Sequence, residues 1–442
     1  MNVSAVVGGT IVTPGGLVTS DLLIQDGKVG AIGPCPPRAG GKLTATGCYV
    51  LPGGVDPHTH LMSAPSRAAA AAARGGTTTA ISFTSPRPGE GDLECVLRSR
   101  EELIKGEIAI DVGLHAALYD PDHVSAADLA ATRRAGAPAV KVFLAYPELG
   151  IMCSDARLAE LMSMTRRLGL VVTVHCENAR LIADREAQAA AGALSGPRTF
   201  ADTRPPEAEH RVVERVVAAA SQAGATCYLV HLSTAGALEH VRQARESGRA
   251  NVHAEVCIHH LLLDDAYYDR PDAGRYLVCP PLRSDGDIGA LWAGVADGTI
   301  SAVGSDHCQT RTPTGSWLGG HQLAYGLAGI GPRLPLLLSE ATARGLTITQ
   351  VARLAAENPA RAFGHYPRKG ALLPGSDADV VIFDPAGEAL MPTDGFGDGT
   401  GDSVYSGLRT RGRIRGVLLR GRLIVAEDEL VADEPGGTYL AA

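Results

Sequence analysis

Val55-Asp56-Pro57-His58-Thr59-His60 ends the first of eight short apolar segments that recur along the chain, and its companions decide the fold. The fourth segment is Pro138-Ala139-Val140-Lys141-Val142-Phe143, with Tyr146 just beyond. The fifth ends at Val174-His175-Cys176-Glu177, the sixth at Leu229-Val230-His231 and the eighth at Val303-Gly304-Ser305-Asp306-His307. The strand candidates are 49–55, 77–83, 108–114, 139–144, 170–175, 227–231, 252–257 and 300–304. Helical stretches separate most of them, among them 155–168, 207–223 and 234–247. Near-continuous apolar strands alternating with helices predict a parallel sheet buried on both faces. Eight such units predict a closed (β/α)8 TIM barrel, α/β in class, and no glycine-rich dinucleotide fingerprint follows any strand. Polar residues at the ends of parallel strands then converge on one mouth of the barrel.

Working outward, both ends of the chain read as β. Residues 5–12, 17–24 and 28–32 are strand candidates, with Gly8-Gly9 breaking the first run and Asp26-Gly27 marking a tight turn. Residues 379–383, 413–419 and 423–426 match them at the far end, the last two pairing around Arg420-Gly421. Strands at both termini need each other to bury a face, so they predict a discontinuous small β-sandwich. The expected domains are 1–52 and 366–442 (sandwich) around 53–365 (barrel), with residues 385–403 as a Gly- and Asp-rich surface loop.

A net charge of -8 and a pI near 6.0 argue against nucleic acid as a partner. No signal peptide and no run of about twenty apolar residues is found, which argues against a membrane partner. Nine scattered cysteines without a C-x-x-C pair read as reduced thiols in a cytoplasmic protein.

His58 and His60 stand two apart, and period-2 geometry puts both on one face, where they can chelate one ion. Lys141 sits in an apolar strand. It either snorkels or pairs with a buried carboxylate, or burial holds it as a free amine that captures carbon dioxide and bridges two cations as a carbamate. His175 and His231 end successive strands and read as ligands. Asp306 is either a helix N-cap or a metal ligand that doubles as general base. Tyr146 either packs in its loop or donates a hydrogen bond to a developing oxyanion. His115, His253, Glu255, His259, His260 and His365 are less diagnostic and most are expected to be core or supporting residues, while His307, beside Asp306, is expected to support the site or contact substrate.

Nearly the whole chain resembles the cyclic amidohydrolases, in the branch of dihydropyrimidinases and D-hydantoinases. The resemblance runs through 51–60, Gly75-Gly76-Thr77-Thr78-Thr79, 141–146 and Val174-His175-Cys176-Glu177-Asn178. It continues through His231-Leu232-Ser233-Thr234, Cys279-Pro280-Pro281-Leu282-Arg283, 304–308 and Glu357-Asn358-Pro359-Ala360. It implies two Zn2+ per subunit, His58, His60 and Asp306 holding the more buried ion and His175 and His231 the more exposed. N6-carboxylated Lys141 and a hydroxide would bridge them. That hydroxide would open the amide of a cyclic ureide or imide, with Tyr146 on the oxyanion and Asp306 carrying the proton to the ring nitrogen. It also implies a homo-oligomer, dimer or tetramer. The chain departs from the family at Met62, where dihydroorotases carry an arginine, at the short 61–66 loop, and at Cys279 in place of a serine. Residues 319–322 look closer to allantoinases, so the alternative is an allantoinase-like or other specialised cyclic amide hydrolase. A non-catalytic assembly homologue would lack ligands that are present here.

Overall fold

A computed structural model describes residues 1–37, 40–61, 64–248, 251–308, 325–399, 401–432 and 434–442. Among the described residues the strands form two sheets of nine strands each. One is all parallel and is the barrel. In order its strands are Gly54–His60, Thr77–Phe83, Asp111–Ala117, Ala139–Phe143, Val171–His175, Thr226–Leu229 and Asn251–Cys257, and then an eighth in two pieces, Ala302–Gly304 and His307–Cys308. Ala302–Gly304 pairs with the seventh strand and His307–Cys308 with the first, so the broken strand closes the ring. The other sheet, mostly antiparallel, joins strands from both termini.

The two sheets share side chains by strand alternation. Val380 and Ile382 point into the terminal-domain core with Val6, Ile11 and Leu22, while Val381 and Phe383 face the barrel cluster. Asp26-Gly27 and Arg420-Gly421 both make turns with two positive φ values, at 49° and 74° and at 45° and 74°.

Five sequence expectations shift. The 49–55 run is two strands: Tyr49–Pro52 pairs in the terminal sheet and Gly54–His60 in the barrel. Gly53 is the crossing point, where a Cβ would stand 2.1 Å from Thr78 Oγ1. The third barrel strand starts at Asp111 rather than 108, because Ile108 and Ile110 are buried below it and Ile108 accepts from Gly437 of the C-terminal tail. Gly8-Gly9 do not break the first strand but shift its register, Gly8 having φ of 74°. Residues 385–390, read as loop, continue strand Val380–Leu390, the register shift between Asp384 and Glu388 absorbing the proline and glycine. The sixth strand stops at Leu229, two residues short of His231.

Candidate active site at the barrel mouth

The residues expected at the site lie at or just past the C-terminal ends of barrel strands, except Lys141, which sits in the middle of its strand. His58 and His60 end the first strand, Lys141 is on the fourth, His175 ends the fifth, His231 follows the sixth, and Asp306 sits in the break of the eighth. Asp306 is no N-cap, since strand residues follow it. Local backbone strain marks the place: Tyr146, His231 and Asp306 have φ of 64°, 38° and 46°, against the steric preference of residues with a Cβ.

The side chains gather in two clusters, one of three residues and one of two. Asp306 Oδ1 is 3.0 Å from His58 Nε2 and 3.3 Å from His60 Nε2. His175 Nδ1 is 2.9 Å from His231 Nε2. Lys141 is 2% exposed; its Nζ stands 4.6 Å from the Phe83 ring centre and 5.4 Å from that of Phe143. Burial lowers its pKa to about 8 against the pull of Asp306 and Glu255, so snorkelling is excluded and a free amine is within reach near neutral pH. Burial, with the Lys141 charge adding to it, lowers His60, His175 and His231, leaving neutral imidazoles with a lone pair each. His58 is the exception: burial opposes its charge, but Asp306 and Glu255 outweigh that and raise it to about 9. Burial would raise Asp306, yet His58 and His60 hold it well below the carboxylate range. Burial pushes the Tyr146 phenol well up, so it stays protonated, and its oxygen lies 3.2 Å from His175 Nε2.

The arrangement fits cations. His58, His60 and Asp306 offer three donor atoms within 4.8 Å of one another. His58 Nε2 is close to Asp306 but not aligned for a hydrogen bond, and it is otherwise a buried nitrogen without a partner. His175 Nδ1 and His231 Nε2 stand 2.9 Å apart, and with both lone pairs turned inward these two nitrogens could share one cation.

Glu255, His115 and His260, expected from the sequence only as core or supporting residues, form the scaffold together with Asp56. Glu255, fully buried, accepts from His58 Nδ1 at 2.6 Å, Tyr228 hydroxyl at 2.9 Å and His231 N–H at 3.2 Å. Asp56 accepts from Ser305 N–H at 3.1 Å and ties the first strand to the last. His115 and His260 contact the carbonyls of Pro57 and Pro280 at 3.1 and 3.0 Å and serve as supports. The signal for Glu255 was present: a carboxylate in the apolar run Ala254-Glu255-Val256, the same oddity that singled out Lys141. Met62 and residues 319–322 lie outside the described residues.

A closed parallel barrel whose mouth concentrates imidazoles, a carboxylate and a buried lysine is the frame of a barrel hydrolase. A model of the amidohydrolase family matches residues 49–424, and the chain belongs to that family. It is 33% identical to the D-hydantoinase of Ralstonia pickettii over 453 residues, covering 98% of this chain and 97% of that one. The crystal structure of dihydropyrimidinase from Brevibacillus agri superposes with a TM-score of 0.91 at 31% identity, covering 100% of both chains. The L-hydantoinase (dihydropyrimidinase) of Arthrobacter aurescens gives 0.89 at 25% identity, also over 100% of both.

Proposed function

We propose that this chain is a hydrolase that opens the amide bond of a cyclic ureide or imide of the hydantoin or dihydropyrimidine type, using two zinc ions. The observation that carries the reading is the pairing of donor atoms, Nε2 of His58 and His60 on Asp306 and Nδ1 of His175 on Nε2 of His231. The first set would hold the more buried ion and the second the more exposed one, His60 being 37% exposed at the rim. Lys141, as the free amine, would take up carbon dioxide, release one proton and offer two carbamate oxygens between the clusters. Bound there, the ions would activate the attacking water and polarise the ring carbonyl. Asp306, held ionised, takes the proton from that water and returns it to the ring nitrogen as the C–N bond breaks. Tyr146, held protonated, donates to the oxygen that gains charge.

Residues 1–52 and 366–442 would make the sandwich domain and 53–365 the catalytic barrel. A homo-oligomer, dimer or tetramer, is carried over from the family resemblance, and nine scattered cysteines without a C-x-x-C pair support a reducing cytoplasm. No helix among the described residues is long and apolar enough to cross a membrane.

The test is ring opening by the zinc-loaded protein on hydantoin, 5-substituted hydantoins, dihydrouracil, allantoin, dihydroorotate and simple cyclic imides. Turnover of one ring class that disappears with a chelator supports the reading. Metal-independent turnover, or none on any ring, overturns it.

A further inference from the structure

Behind the two donor clusters stand two carboxylates. Glu255 Oε1 is 2.6 Å from His58 Nδ1, and Glu177 Oε2 is 2.8 Å from His175 Nε2. The two side chains are 0% and 1% exposed. A carboxylate oxygen accepts hydrogen bonds, so in each contact the imidazole donates. That fixes which nitrogen keeps its proton. His58 keeps Nδ1–H and turns Nε2 toward Asp306; His175 keeps Nε2–H and turns Nδ1 toward His231. With each ring neutral, as a cation-bound imidazole is, the atoms left with lone pairs are those that face the other donors of each cluster. Had either histidine taken the other tautomer, its N–H would point at the partner donors and repel a cation.

Glu255 reaches further. The same Oε1 accepts the backbone N–H of His231 at 3.2 Å, and Oε2 accepts the Tyr228 hydroxyl at 2.9 Å. It therefore aims one histidine of the first cluster through the ring and one of the second through the backbone, where His231 turns at φ of 38°. Glu177 serves one ring, and its Oε1 has no partner among the described residues.

We propose that Glu255 and Glu177 are positioning residues, each selecting the tautomer and aim of one histidine in each metal-binding cluster. The inference rests on the two-ion reading above. It predicts that the protein's affinity for zinc is set by side chains that never touch the ion.

The experiment uses full-length wild type, Glu255→Gln, Glu177→Gln and Tyr228→Phe. Zinc content is measured by elemental analysis after equilibration against a competing chelator, and the visible spectrum is recorded after cobalt substitution. Circular dichroism confirms folding. Glutamine keeps the volume but its amide can also donate, which removes the tautomer preference. Each glutamine variant is expected to hold one of its two ions about 10- to 100-fold more weakly, with an altered cobalt spectrum. Tyr228→Phe removes another contact of Glu255 without touching an imidazole and keeps wild-type zinc affinity and spectrum. Wild-type zinc retention and cobalt spectrum in the glutamine variants overturn the inference. If Glu255→Gln does not fold, Glu177→Gln decides by the same criteria. A wild type that binds two ions with both variants unchanged defeats only this inference, whereas a wild type that binds none defeats the two-ion reading with it.

Discussion

The barrel buries charge at both ends, and it does so in opposite ways. At the bottom, Lys369 Nζ lies 2.5 Å from Asp111, 2.7 Å from Asp379 and 2.9 Å from Asp377. Arg420 adds a second cation to Asp111, and Thr438 of the C-terminal tail donates to it from N–H and hydroxyl at 2.8 and 3.1 Å. The tail continues as Leu440 N–H to Val112 and Ala442 N–H to Gly136, locking the last residues onto the start of the third strand and the turn before the fourth. At the mouth, Lys141 lies over aromatic rings and His58 Nε2 lacks an aligned partner. Asp111, Asp377 and Asp379 converge as closely as His58, His60 and Asp306 do, yet an ammonium already fills the acidic cluster. Converging ligand atoms alone do not make a metal site; what matters is whether the cluster is already compensated.

Replacing the central lysine at each end breaks the comparison most directly. Lys141→Ala is expected to lower turnover on the order of 1000-fold and to reduce zinc content, with little loss of stability. Normal turnover with full metal content would remove Lys141 from the site. Lys369→Met should do the reverse, costing about 3–5 kcal/mol in urea unfolding because three carboxylates lose their shared cation. Zinc binding by the folded fraction should be unchanged, and a variant as stable as wild type would show that the bottom cluster stabilises nothing.

Tyr146→Phe sharpens the picture of the mouth. Loss of one oxyanion donor should reduce kcat about 100-fold with KM and zinc content nearly constant. A change confined to KM would make Tyr146 a binding residue instead.

The smallest effect separates the two ends by pH. Burial raises the Asp377 pKa, but Lys369, Lys28 and Arg368 outweigh it and hold the carboxyl at about 2. A group depressed in this way stabilises the fold fully above its ordinary value of 3.8, and that contribution is lost as pH falls from about 4 to 2. Unfolding midpoints between pH 5 and 2 should therefore fall less steeply in Asp377→Asn than in wild type. Parallel curves would refute the assignment.

Much of the mouth was legible because its residues break local rules. A His-x-His at a strand end and a lysine within Val140-Lys141-Val142 are conspicuous against apolar neighbours. Glu255 breaks the same rule in Ala254-Glu255-Val256 but stands alone in sequence; its importance comes from His58, Tyr228 and His231, which lie on other strands. The strand limits at 108–114 and 385–390 were misplaced because apolar residues below the barrel look like strand, and a bulged strand with Pro385 and Gly387 looks like loop.

The sequence alone determined the alternation of buried strands and helices, the pairing of the two termini, and the residue types at the strand ends. These follow from periodicity and burial, which are local properties of the chain. Tertiary structure alone decided which nitrogen of each histidine faces its partner, how the eighth strand breaks to present Asp306, and which cluster of carboxylates is already compensated. Those depend on contacts between residues up to hundreds of positions apart, such as His58 with Glu255 or Lys369 with Asp111, and no local pattern encodes the distance between them.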